Sequence, residues 1–160
     1  VAVKGRAEVV PTNRDFTVII DYAHTPDGIE NILSTMREIK TGRLVALFGC
    51  GGDRDRTKRP KMAASAASLA DYVIVTSDNP RSEDPQKIID DVLVGLEGLD
   101  VPYDVILNRA EAIHFAIKNA KPDDLIVLMG KGHETYQILA NETIHFDERE
   151  VVRDALASLN

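Results

Sequence analysis

The sequence predicts an α/β fold: a Rossmann-like, mostly parallel sheet with helices on both faces and a short C-terminal hairpin. Three observations predict it. Apolar runs alternate with helix-like stretches along the whole chain. The runs are rich in Val, Ile and Leu without polar alternation, as in strands buried on both faces. The loops that would leave the strands carry Gly, Asp, Asn, Arg and His, whereas those that would enter them are plainer.

Taken in order, residues 17–20 form the first predicted strand. Thr25 caps a helix that starts on Pro26 and runs to Ile39, because a threonine oxygen accepts a free N–H and proline suits the first turn. Residues 44–48 are the second strand, and the Ala-rich stretch 60–69 is a helix. Residues 72–76 are the third strand, and Asp84-Pro85 opens a helix to Leu96. A fourth strand spans 103–106, and Asn108 with Glu111 forms a capping-box-like start to a helix ending near Asn119. Residues 125–128 are the fifth strand. Residues 136–139 and 143–145 flank Asn141-Glu142 as a hairpin, and Asp147 with Glu150 starts a terminal helix. With strands and helices alternating this way, the crossovers give a parallel sheet. There is no internal repeat or linker, so residues 1–160 read as one domain.

Composition narrows the class. The chain has 160 residues, 44% hydrophobic and 28% charged, which suits one domain with a real core. A net charge of -7 argues against a general nucleic-acid binder. The basic cluster Arg54, Arg56, Lys58, Arg59 and Lys61 reads mainly as a solvated loop and first helical turn. Cys50 is the one cysteine, so disulfides within the chain and cysteine metal clusters are excluded, and a cytoplasmic setting is the default expectation. No run reaches membrane-spanning length, so no membrane role is expected. The opening Val1-Ala2-Val3-Lys4-Gly5-Arg6 reads as the middle of a longer protein.

The chemistry gathers in three loops at one predicted sheet edge. They are Gly49-Cys50-Gly51-Gly52-Asp53-Arg54-Asp55-Arg56, Asp78-Asn79-Pro80-Arg81 and Gly130-Lys131-Gly132-His133-Glu134. Ligands of open parallel sheets bind at this edge. Turn formation accounts for Gly, Asp and Asn, but not for Arg54, Arg81, His133 and Glu134 among them. An arginine fork binds a carboxylate with two parallel bonds, and Asp78 and Glu134 accept from an ammonium. A ligand bearing both groups uses all of these at once. Neither glycine loop has the spacing of a dinucleotide fingerprint or a phosphate loop, so this domain is not expected to hold nucleotide phosphates alone. His24 and His133 lack metal-ligand spacing and read as polar or loop-ordering contacts, while His114 and His145 read as structural. For Lys131, a phosphate contact and a solvent-facing charge stand side by side. Cys50 has no base partner in sequence and reads as packing.

These motifs appear in a familiar order. Asp21-Tyr22-Ala23-His24-Thr25-Pro26-Asp27 precedes the three loops, Gly5-Arg6 stands upstream, and Tyr136-Gln137-Ile138 follows. Over nearly its whole length the chain resembles the C-terminal domain of the Mur ligase family, on the diaminopimelate-adding branch. The resemblance implies a Rossmann-like domain that carries the amino-acid pocket of an ATP-dependent amide ligase of peptidoglycan synthesis. In that family ATP phosphorylates a D-glutamate carboxylate of UDP-MurNAc-L-Ala-D-Glu, and the incoming amine attacks the acyl phosphate. The match implies that Arg54, Asp78, Asn79, Arg81, Gly130 and Glu134 hold meso-diaminopimelate. Arg81 would grip the distal carboxylate that lysine lacks. It further implies that Arg6, Asp21 and His24 face ATP across a domain cleft.

The chain departs from the family pattern at Lys4, Ala7 and Arg56-Thr57, none of them a pocket position. The UDP-sugar domain and the central ATPase domain, with its phosphate loop, Mg2+ ligands and carbamylated lysine, have no counterpart here. ATP and Mg2+ would therefore be bound mainly elsewhere, and the chain alone is expected to be inactive. Two alternatives stay open: a ligase of the same type adding L-lysine, and a non-catalytic nucleotide-binding module.

Overall fold

The computed structural model describes residues 4–160. A six-stranded sheet carries the order β1-β2-β6-β3-β4-β5, and a two-stranded hairpin, β7-β8, stands apart from it. The five strands β2 (Thr17–Asp21), β6 (Leu125–Met129), β3 (Leu44–Cys50), β4 (Tyr72–Ser77) and β5 (Tyr103–Val105) are parallel. β1 (Glu8–Val10) adds an antiparallel edge against β2.

The apolar runs follow from what covers the sheet. Leu44, Ala46, Phe48 and Cys50 of β3 pack into one core with α1 (Pro26–Ile39), α2 (Lys58–Leu69) and α3 (Pro85–Val94). Val45 and Leu47 point the other way, into a second core with α4 (Arg109–Lys118) and α5 (Glu148–Ala157). Successive side chains of a strand alternate between faces. A strand covered on both sides therefore shows an unbroken apolar run.

The predicted fold class holds, with local corrections. β1 was not expected. The strand at 103–106 was expected to be buried on both faces, yet all three residues of β5 are exposed. It is the sheet edge and pairs with β4 alone. Helix α2 starts at Lys58, ahead of Pro60, without a side-chain cap. Helix α3 stops at Val94 because Gly95 caps it. The caps read from Thr25, Asp84, Asn108 and Asp147 all accept N–H bonds in the first turns of their helices.

Register sets the site. Asp21 pairs with Met129, and Cys50 with Ser77, so these strand ends lie near one level. The loops that follow β2, β3, β4 and β6 therefore emerge together. The hairpin β7 (Tyr136–Ile138) and β8 (Thr143–His145) returns from β6 toward the β4 loop. The Arg81 N–H donates to the Ile138 carbonyl at 3.1 Å, and Gln137 Nε2 donates to the Asp78 carbonyl at 2.7 Å.

Beneath these loops lies a buried pair, Arg109 and Glu148. Arg109 Nε donates to Glu148 Oε2 at 3.0 Å, and both side chains are fully buried. The remaining guanidinium nitrogens donate to the carbonyls of Ser77 at 3.0 Å and Met129 at 2.9 Å, at the ends of β4 and β6. Breaking a buried pair by removing one partner typically costs ~3–5 kcal/mol. The pair thus locks two strand ends at the heights from which the site loops spring.

Among the described residues, no helix is long and apolar enough to cross a membrane.

Candidate functional site

A cavity of about 430 Å³ opens above the strand ends. Arg54, Asp78, Asn79, Arg81, Gly130, Glu134 and His24 all line it, together with Tyr22 and Lys58. Small-molecule pockets typically occupy about 300–1,000 Å³, so this one is large enough for an amino acid.

The β3 and β4 loops pack at backbone distance. The Gly52 N–H donates to the Asn79 carbonyl at 2.8 Å. A Cβ on Gly52 would stand 1.8 Å from the Pro80 carbonyl oxygen, so no larger residue allows this approach. Beneath the β3 loop, Arg59 is buried and donates to both Glu83 oxygens at 2.7 and 2.8 Å, to Asp91 at 3.0 Å and to the Gly51 carbonyl at 3.0 Å. The Arg59 hydrogen bonds, helped by the Asp53 N–H, hold the Glu83 carboxyl down at about 2. Arg56 pairs with Asp91. The basic cluster is therefore not simply a solvated face: Arg59 is a buried structural cation.

Arg54 and Arg81 differ from Arg59. The hydrogen bonds they make among the described residues go to carbonyl oxygens. Arg54 Nη1 donates to Asp53 at 3.0 Å, and Arg81 Nη1 donates to Gly52 at 3.0 Å and Asn79 at 3.4 Å. Each guanidinium has five N–H donors, so most remain for a ligand carboxylate. Arg81 sits at φ +53, a left-handed conformation that costs a non-glycine residue about 1–2 kcal/mol. Its N–H bond to Ile138 holds it there.

The acidic side is built around Lys131. Its ammonium donates to Asn79 Oδ1 and lies 3.1 Å from Asp78 Oδ1 and 3.8 Å from Glu134 Oε1. The residue is 0% exposed. This corrects both sequence expectations for Lys131, since a buried, surrounded cation neither meets solvent nor reaches a phosphate. Burial pulls the ammonium below the ordinary lysine range, and the Asp78 carboxylate opposes that pull. Gly130, at φ +115, brings the chain past Asp78 without a side chain between them.

Cys50 is buried against Met62, and burial pushes its thiol up to about 12. It packs, as the sequence implied. On the rim, the Tyr22 ring lies 4.7 Å from His24 and 5.5 Å from His133, centroid to centroid. His24 is exposed, with Nδ1 2.9 Å from the Tyr22 carbonyl. Arg6 is also exposed. Both oxygens of Asp21 accept backbone N–H bonds, from Ala7 at 2.7 Å and Ala23 at 2.9 Å, which orders the rim. Arg6 and Asp21 do not line the cavity. Among the described residues, no group of three or more His, Cys, Asp or Glu side chains is arranged for a metal ion.

Sequence reasoning missed Lys131, Arg59, Glu83, Arg109 and the Gln137-Ile138 buttress as parts that hold the site.

Comparison with known proteins gives a consistent answer. The family model described as "Mur ligase, glutamate ligase domain" matches residues 5–132. A UDP-N-acetylmuramoyl-L-alanyl-D-glutamate--2,6-diaminopimelate ligase of Caldanaerobacter subterraneus is 55% identical over 98% of this chain and 33% of its own length. A solved structure of a ligase of the same name has a TM-score of 0.90 at 40% identity, covering 99% of this chain and 32% of that one. A structure of E. coli FolC in complex with ADP shares the fold, with a TM-score of 0.60 at 23% identity over 82% of this chain and 29% of that one. The chain spans about a third of the length of the curated relatives it matches.

Proposed function

Since this chain belongs to the Mur ligase family, carrying its glutamate ligase domain, we propose that it is the amino-acid-binding domain of an ATP-dependent ligase. That ligase adds meso-diaminopimelate to UDP-MurNAc-L-Ala-D-Glu in peptidoglycan synthesis, in the cytoplasm. The observation that carries the substrate assignment is the charge layout of the cavity. Arg54 and Arg81, hydrogen-bonded to carbonyls, share it with Asp78 and Glu134. A diamino dicarboxylic acid matches both signs.

In this reading Arg81 and the Asn79 amide bind the distal carboxylate, and Arg54 guides the other. Asp78 and Glu134 hold the distal ammonium, so the second amine is left to attack an acyl phosphate. Positioning an amine against an activated carboxyl replaces a bimolecular encounter, and well-oriented systems gain up to roughly 7–11 kcal/mol in this way. Bound ATP would supply the phosphoryl group that activates the acceptor carboxyl, held with Mg2+ mainly by the central domain. Arg6, Asp21 and His24 form the rim toward that domain, which with the UDP-sugar domain lies outside this chain.

A substrate panel on the complete ligase tests the assignment. Turnover with meso-diaminopimelate and little with L-lysine is expected. Preference for L-lysine would establish the alternative ligase, and adenylate binding without response to either amino acid would establish a nucleotide-binding module.

A further inference from the structure

We propose that Lys131 is a positioning residue of the amino-acid pocket: its ammonium locks Asn79 with the amide nitrogen toward the ligand and offsets one of the two acidic charges of Asp78 and Glu134. The inference rests on the pocket reading above.

A lysine ammonium donates and cannot accept. Lys131 Nζ has Asn79, Asp78 and Glu134 around it, with the Tyr136 ring centroid 6.0 Å away. Its partners are all within the protein, and the side chain is fully buried. Lys131 therefore acts through its neighbours.

The effect on Asn79 is directional. Its Oδ1 accepts from Lys131 and also from the Ile138 N–H at 3.0 Å. Interchanging oxygen and nitrogen would set the amide hydrogens against two donors. The amide thus has one orientation, and its NH2 is left to donate toward an acceptor in the cavity that Asn79 lines. An asparagine free to flip would present an acceptor there half the time and repel a carboxylate.

The effect on charge is numerical. Two carboxylates and one ammonium leave one net negative charge, which one ligand ammonium balances. Without Lys131, two carboxylates would face one ligand ammonium and leave a negative charge in the site without a partner.

The test uses the complete ligase containing this chain. Lys131→Met keeps the approximate length of the side chain and removes both donor and charge. Lys131→Gln removes the charge and keeps a donor for Asn79. We expect the Met variant to raise the Michaelis constant for meso-diaminopimelate tenfold or more, with that for ATP unchanged and the Gln variant between it and the wild type. A purely structural role would lower the folded fraction, and so Vmax, at unchanged KM. An unchanged amino-acid KM in the folded variants overturns the proposal. If the Met variant does not fold, the Gln variant decides on the same criterion. Arg81→Ala, measured alongside, separates the two ideas. A raised KM there with none in the lysine variants overturns Lys131 alone, whereas no change at Arg81 overturns the pocket reading itself.

Discussion

Arg81 and Gly52 meet at the mouth of the cavity: Nη1 of Arg81 donates to the Gly52 carbonyl at 3.0 Å. The contact exists because the β3 loop has no side chain at Gly51 or Gly52. A Cβ on Gly51 would lie 2.9 Å from Arg81 Nη1, the movable end of a side chain. One on Gly52 would lie 1.8 Å from the Pro80 oxygen and 2.6 Å from its carbonyl carbon, both backbone atoms.

The two glycines are therefore expected to separate binding from stability. Gly52→Ala should force the loops apart and destabilise the fold, with overpacking typically costing ~1–3 kcal/mol. Gly51→Ala should displace only the Arg81 guanidinium, raising the amino-acid KM with little change in the denaturation midpoint. Equal stability losses in the two variants would show that the loops do not pack as described.

Arg81→Ala should weaken amino-acid binding in the complete ligase and leave the KM for ATP alone. Loss of a charged hydrogen bond is worth ~1.5–3 kcal/mol, which at about 1.4 kcal/mol per decade is roughly a ten- to hundredfold rise in KM. Arg81→Lys should recover little of it, because an ammonium lacks the planar two-pronged fork. Steady-state kinetics with each substrate varied in turn checks both statements.

Glu83 gives the fold an acid-side sensitivity. Arg59, helped by the Asp53 N–H, holds its carboxyl at about 2 against an ordinary value of 4.5. A carboxyl depressed in the folded state contributes fully above its unfolded value and loses that contribution as pH falls through the folded one. The contribution of Glu83 is thus present above about pH 4.5 and fades toward pH 2. Denaturant midpoints of wild type and Glu83→Gln should converge as pH falls through that window. A gap independent of pH would contradict the pairing.

Much of this was legible in the sequence, for identifiable reasons. The central strands were readable because both of their faces are covered, so every residue of β3 is buried. The caps were readable because Thr25, Asp84, Asn108 and Asp147 act on their own helices. Arg54, Arg81 and Glu134, which line the cavity, stood out because turn formation gives no reason for them at strand ends. β1 was missed because Glu8-Val9-Val10 pairs only through β2, from Val18 to Ile20. β5 was misjudged because Tyr103, Val105 and Ile106 outweighed Asp104, whose charge in mid-strand is the mark of an exposed edge. The buried cations were hidden for a third reason: their partners are distant in sequence. Lys131 reaches Asn79 across 52 positions, Arg109 reaches Glu148 across 39, and Arg59 reaches Glu83 across 24. Local pattern gives a lysine between two glycines no mark of burial.

The most direct measurement is an amide NMR titration of this chain with meso-diaminopimelate, and with L-lysine as the control. On the pocket reading, shifts centred on Arg54, Asn79, Arg81 and Glu134 appear with meso-diaminopimelate, and none of comparable size there with L-lysine. Equal shifts with both amino acids, or shifts from meso-diaminopimelate that fall outside this cavity, would contradict it.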